Sequence, residues 1–119
     1  MDDTVIDSSL RTVEWKDNKV IMIDQTKLPN QLVFVEYDDF NQVADAIRTL
    51  VVRGAPAIGV SGAFGLALAS LQSKATTKDG LISDLEKAKK ILYDTRPTAV
   101  NLKWGLDKIM TVANSGTIV

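Results

Sequence analysis

Cysteine and histidine are both absent from the 119 residues. Their absence removes disulfides, thiolate nucleophiles, imidazole bases and the common zinc ligand sets. Any chemistry must therefore come from carboxylates, lysines, arginines, hydroxyls or the backbone. An excess of charge of either sign is also missing: 14 basic residues stand against 15 acidic ones, a net charge of −1. So balanced a chain has no general attraction for nucleic acid or anionic membrane, and binding there would need a local patch. No Gly-Lys-Ser/Thr follows a glycine loop, which excludes a Walker-type nucleotide site. The N-terminus opens acidic, Met1-Asp2-Asp3, without the basic-then-apolar run of a signal peptide, so export is not expected.

What the chain does have is 45% hydrophobic residues, enough for the core of one small domain. Residues 11–16 and 19–24 are β-prone and flank Asp17-Asn18, residues suited to a two-residue hairpin turn. A linker punctuated by Pro29 follows. Residues 31–37 (Gln-Leu-Val-Phe-Val-Glu-Tyr) then read as a third strand, with an apolar centre that implies burial. From Phe40 the periodicity becomes helical, with Phe40, Val43, Ala44, Ile47, Leu50 and Val51 on one face behind a cap at Asp38 or Asp39. This first helix should end near Arg53-Gly54.

The second helix, from Pro56 to about Leu71, has almost no polar face and is expected to be buried. Its Gly59, Gly62 and Gly65 cost helix propensity, which is explained by close approach of neighbouring elements. At 16 residues it falls short of the ~20 that a bilayer requires. A third helix, from about Asp79 to Tyr93, places Leu81, Leu85, Ala88 and Leu92 inward and its lysines toward water. After the break at Asp94-Thr95-Arg96-Pro97, a fourth runs from about Thr98 to Ala113, with Val100 and Trp104 inward alongside Leu106 or Ile109. Trp15 and Trp104 read as core or domain-contact residues, since no basic stripe accompanies them. The expected fold class is α+β: a small antiparallel N-terminal sheet of about three strands, then a bundle of about four helices.

The most informative stretch is Val52-Arg53-Gly54-Ala55-Pro56-Ala57-Ile58-Gly59. If Pro56 is the first helical residue, Ala55 occupies the cap position, where Ser, Thr, Asp or Asn would normally bind the free backbone N–H groups. A phosphate can take that place, since the N–H groups, the helix dipole and the Arg53 guanidinium would all face it. The alternative is a plain tight turn into a buried helix. Arg96-Pro97 repeats the arrangement, and two such arginines could hold a phosphate dianion between them. There Thr98 can serve as an ordinary N-cap, leaving Arg96 as the functional group, or Arg96 can simply pair with Asp94 on the surface. The adjacent acidic pairs Asp2-Asp3 and Asp38-Asp39 read as turns or caps.

Four segments together, Thr12-Val13-Glu14-Trp15, Ile23-Asp24-Gln25-Thr26-Lys27-Leu28-Pro29, the Arg53-Gly54-Ala55-Pro56 stretch and Thr95-Arg96-Pro97-Thr98-Ala99-Val100-Asn101-Leu102, carry a resemblance. In order and spacing they resemble the N-terminal part of the methylthioribose-1-phosphate isomerase family. Ribose-1,5-bisphosphate isomerases and the regulatory subunits of initiation factor 2B share parts of the pattern and form the alternative reading. The resemblance implies a cytoplasmic, cofactor-free aldose–ketose isomerisation in methionine salvage. It implies that Arg53, Gly54, Ala55 and Arg96 bind the sugar-phosphate substrate and that no metal is held. It further implies that residues 1–119 form the N-terminal domain of a longer, homodimeric chain. The catalytic cysteine and aspartate of the family lie in a following Rossmann-like domain, so these residues alone are expected to be inactive, with no nucleic-acid or membrane partner.

Overall fold

The structure, a computed structural model, describes residues 12–115. Met1, Asp2, Asp3 and Arg11, together with the last four residues, lie outside that span.

Strands β1 (Val13–Lys16) and β2 (Lys19–Ile23) form the expected hairpin, paired from Val13↔Met22 to Lys16↔Lys19. Asp17 and Asn18 both take left-handed backbone angles, φ 55° and 61°, the geometry that matches a two-residue turn to the twist of its strands. Asp24 leaves the strand to cap a single 3₁₀ turn, Gln25–Lys27, its carboxylate accepting from the Thr26 amide at 2.9 Å and hydroxyl at 2.6 Å. Strand β3 (Phe34–Tyr37) adds antiparallel to β2, so the order is β1-β2-β3.

β3 is shorter than expected and not buried at its centre. Its exposure alternates, with Phe34 50% exposed while Val35 packs on the core. An edge strand of a sheet covered on one face can bury only every second side chain. The central strand β2 supplies Val20, Met22 and Ile23 to the interior.

Helix α1 (Phe40–Arg48) begins at a capping box, with Asp39 accepting from the Asn41 amide and the Gln42 side chain returning to the Asp39 N–H. It stops about five residues before the expected end. Leu50 turns left-handed at φ 66°, the Val51 N–H reaches back to the Ala46 carbonyl at 3.0 Å, and the Leu50 N–H to Ile47 at 3.4 Å. That pair of bonds is a Schellman closure with leucine where glycine is usual. Leu50 is consequently exposed, not core.

Helix α2 (Ala55–Gln72) is the axis on which the sheet and the other helices pack. Among the described residues it is the one helix long and apolar enough to span a bilayer, but its length carries Ile58, Leu66, Leu68 and Ala69 into a shared protein core. The glycines do what their spacing implied. A Cβ on Gly59 would lie 2.7 Å from the Asn101 carbonyl oxygen, one on Gly62 2.5 Å from a Leu102 methyl, and one on Gly65 3.1 Å from Leu92 and Val43.

Helix α3 (Lys78–Tyr93) starts at Thr77, whose hydroxyl accepts from the Gly80 N–H at 3.0 Å, and buries Leu85, Ala88 and Leu92. Its lysines are not all a solvated face. Lys89 reaches Asp107 on helix α4 (Val100–Ser115) at 3.0 Å, where Lys103 also bonds at 2.7 Å. The hydrogen bond from Lys103, then that from Lys89, holds the Asp107 carboxyl below its ordinary range. α4 itself is rotated relative to expectation. Leu102, Gly105, Leu106, Met110 and Ala113 face the core, while Val100 is 78% and Trp104 63% exposed.

Candidate functional site

The α2 N-terminus starts one residue earlier than the proline implied. Ala55 is the first helical residue and Gly54 the cap, at φ 91° and without any side-chain bond to the helix. Only the Gly54 carbonyl takes part, accepting from the Ile58 N–H at 2.9 Å. Pro56 has no N–H, so the Ala55 and Ala57 amides are the donors left over in the first turn. Positive φ at Gly54 turns the chain sharply without a Cβ over those donors.

The α4 N-terminus proves to be built the same way. The Ala99 carbonyl accepts the first helical bonds, from Leu102 at 3.1 Å and Lys103 at 3.3 Å, which makes Ala99 the cap residue and places Thr98 one position too early to cap. Arg96 is held before it by a turn in which its own carbonyl accepts from the Ala99 N–H at 2.9 Å. The surface pairing with Asp94 does not form, because Asp94 is taken by Lys90 at 3.1 Å.

Both helix N-termini open on one cleft of about 370 Å³, walled by Gly54, Ala55 and Ile58 from α2 and by Arg96, Thr98, Ala99, Val100 and Asn101 from α4 and its approach. Three of the four sequence-predicted residues are thereby brought together. Arg53 stands in a second, adjoining cleft of about 430 Å³ with Thr12, Val13, Pro56, Ala57 and Val60, and Gly54 is a wall of both. Its Nε donates to the Leu50 carbonyl at 3.3 Å, so the left-handed end of α1 sets where this guanidinium sits. The walls that sequence reasoning missed are Thr98 through Asn101. The signal for them was the lack of a capping side chain at Ala99.

The close crossing of α2 and α4 is what puts the two N-termini at one place. A Cβ on Gly105 would come within 2.2 Å of the Gly59 carbonyl oxygen, so backbone touches backbone there. Partial positive charge from two helix ends and a guanidinium then face one cavity, a setting for an anion. No residue walling either cleft is a carboxylate or an amine. The arrangement can hold a negatively charged group but has no general base with which to move a proton.

The chain is an α+β domain with a cleft of arginine and free backbone amides between two helix N-termini. The chain belongs to the initiation factor 2 subunit family, which it matches over residues 51–118. It is 50% identical over 107 residues to the methylthioribose-1-phosphate isomerase of Geotalea uraniireducens, covering 90% of this chain and 31% of that one. The crystal structure of 5-methylthioribose 1-phosphate isomerase from Pyrococcus horikoshii superposes with a TM-score of 0.84 at 45% identity, over 92% of this chain and 31% of the other. The translation initiation factor eIF-2B, subunit delta, from A. fulgidus superposes equally, TM-score 0.84 at 44% identity, over 90% and 31%. The chain thus spans about a third of the length of these relatives.

Proposed function

We propose that this chain is the N-terminal, phosphate-anchoring domain of a cytoplasmic aldose–ketose isomerase that converts 5-methylthioribose 1-phosphate to 5-methylthioribulose 1-phosphate in methionine salvage, and that the whole enzyme is a homodimer. The observation that carries the proposal is the cleft shared by two helix N-termini that lack capping side chains, with Arg96 in its wall. Arg53 adds a second guanidinium across Gly54. In this reading the phosphate takes the donors that Ser, Thr or Asp would otherwise satisfy, and the sugar points outward to the rest of the enzyme, which supplies the chemistry.

Two outcomes follow from that division. The purified 119-residue chain shows no isomerisation of 5-methylthioribose 1-phosphate in a product assay, because the clefts have no acid–base group; measurable turnover would sink the assignment. The same chain is nevertheless stabilised by the sugar phosphate. Ligand at a hundred times its dissociation constant adds about 2.7 kcal/mol, a rise of roughly 10 °C or more in melting temperature for a domain of this size. Ribose without the phosphate leaves the melting temperature unchanged. The equal likeness to the initiation-factor subunit favours one rival, a regulatory module that binds protein. A chain whose melting is indifferent to every sugar phosphate would support that rival.

A further inference from the structure

We infer that the 3₁₀ turn Gln25–Lys27 positions Arg53, acting through the backbone of Leu50 and Val51. The stretch from Ile23 to Pro29 is part of the family resemblance, yet none of its residues walls either cleft. It holds the backbone just ahead of Arg53 instead. The Gln25 N–H donates to the Val51 carbonyl at 2.8 Å. The turn that carries this N–H is fixed by the carboxylate of Asp24, a residue only 8% exposed, which accepts from the Thr26 amide and hydroxyl.

The peptide planes between Leu50 and Val52 are each held. In a trans peptide the N–H and C=O point to opposite sides. The Val51 N–H bonds to the Ala46 carbonyl at 3.0 Å, so the Leu50 carbonyl of the same plane points the other way, where it accepts from Arg53 Nε at 3.3 Å. In the next plane the Val52 N–H also turns to Ala46, at 3.5 Å, and the Val51 carbonyl meets Gln25 on the far side. Without Gln25 that plane would rest on one long bond and the burial of Val52. Leu50 sits at φ 66°, a conformation that is unfavourable to a residue with a Cβ and persists only where its surroundings enforce it. The 3₁₀ turn supplies the enforcing bond that comes from outside α1. A guanidinium tethered through Nε keeps both Nη groups for a bidentate anion, and freeing the side chain adds an ordering cost to binding. Asp24 and Gln25 thus govern the affinity of the Arg53 cleft without touching its ligand. That consequence for binding rests on the anchoring role proposed above, whereas the placement of Arg53 does not.

Gln25→Pro removes the donor and leaves a suitable backbone. Asp24 is extended, at φ −74° and ψ 101°, as a residue before proline should be, and proline is favoured at the first position of a helical turn. Gln25→Ala keeps the N–H and is its control. In isotope-edited NMR of the chain without ligand, exchange of the Arg53 Nε–H with water, assigned by its loss in Arg53→Lys, should quicken about threefold or more in Gln25→Pro. It should stay at the parent rate in Gln25→Ala. Asp24→Ala should quicken it as well, and Asp24→Asn, whose amide oxygen still accepts from Thr26, should not. Thr77→Ala, which removes the cap of α3 instead, lowers the melting temperature and leaves this exchange unchanged. In calorimetric titration with 5-methylthioribose 1-phosphate, Gln25→Pro should raise the dissociation constant about three- to tenfold, the worth of one hydrogen bond. In an Arg53→Ala background it should raise it no further. Equal exchange in Gln25→Pro and Gln25→Ala overturns the inference, as does a binding penalty that persists in full without Arg53. If Gln25→Pro does not fold, equal exchange in Asp24→Ala and Asp24→Asn overturns it. Faster exchange in a chain that binds no sugar phosphate supports the positioning and overturns the anchoring role.

Discussion

Gly105→Ala is expected to destabilise the domain by about 3 kcal/mol, the upper part of the usual range for overpacking, and to lower its melting temperature by more than about 10 °C. The added methyl would lie 2.2 Å from the Gly59 carbonyl oxygen and 3.0 Å from its carbon. Both are backbone atoms, so no rotamer change can relieve the collision and α4 must move off α2. Separation withdraws Leu102 and Leu106, both fully buried, from Gly62, and loosens packing over several turns at once. It also parts the two helix N-termini, so phosphate-dependent stabilisation should weaken along with the fold. Gly80→Ala is the control. Gly80 stands in the first turn of α3, where a Cβ meets only Ala75 and the Thr77 hydroxyl at 3.1 Å, and the gain in helix propensity of up to about 1 kcal/mol offsets that tightness. Thermal melts followed by circular dichroism separate the two. A Gly105→Ala protein melting within about 3 °C of the parent, a shift worth well under 1 kcal/mol, would show that the crossing is not as tight as described.

The glycines of α2 were legible in the sequence because nothing except close approach accounts for three of them in one helix. The hairpin was legible from Asp17-Asn18, and the start of α1 from an aspartate ahead of an apolar periodic run. The end of α1 was not. A helix that closes through Leu50 at φ 66° gives no local sign, since glycine is the residue that usually marks such a closure, and the first glycine available was Gly54. The inward face of α4 was misread for a different reason. Val100 and Trp104 form one stripe at a spacing of four, and Leu102, Leu106 and Met110 form another, and periodicity alone cannot choose between two apolar stripes. Gly105 decides: it lets the helix approach the Gly59 backbone on the side of Leu102 and Leu106, which leaves Trp104 outside. At the clefts, Arg53 and Arg96 stood out because each is an arginine shortly before a proline at a helix opening, whereas Gly54 and Ala55 as binding residues came with the family resemblance; all four line the two clefts. The division into two clefts about Gly54 was not legible, because it depends on where the tether to Leu50 directs Arg53.

Arg96→Ala in this chain is expected to raise the dissociation constant for the sugar phosphate by about ten- to hundredfold. That is the loss of one charge-assisted hydrogen-bonding partner, about 1.5 to 3 kcal/mol. The effect should exceed that of Arg53→Ala. Arg96 shares its cleft with the donors of both helix ends, and no carboxylate among the described residues competes for it. Arg53 approaches from the adjoining cleft and already donates through Nε to Leu50. Lysine in place of Arg96 keeps the charge but not the planar fork, and should recover only part of the affinity. Calorimetric titration of the three variants orders them, while their melting temperatures without ligand should stay near that of the parent, because neither guanidinium is part of the core. If Arg96→Ala binds the sugar phosphate as tightly as the parent, the cleft between the helix N-termini is not where the phosphate sits. A loss confined to Arg53→Ala would move the site to the other side of Gly54, into the cleft bounded by Thr12 and Val13, and would make the free Ala57 amide, not that of Ala55, the backbone donor that matters.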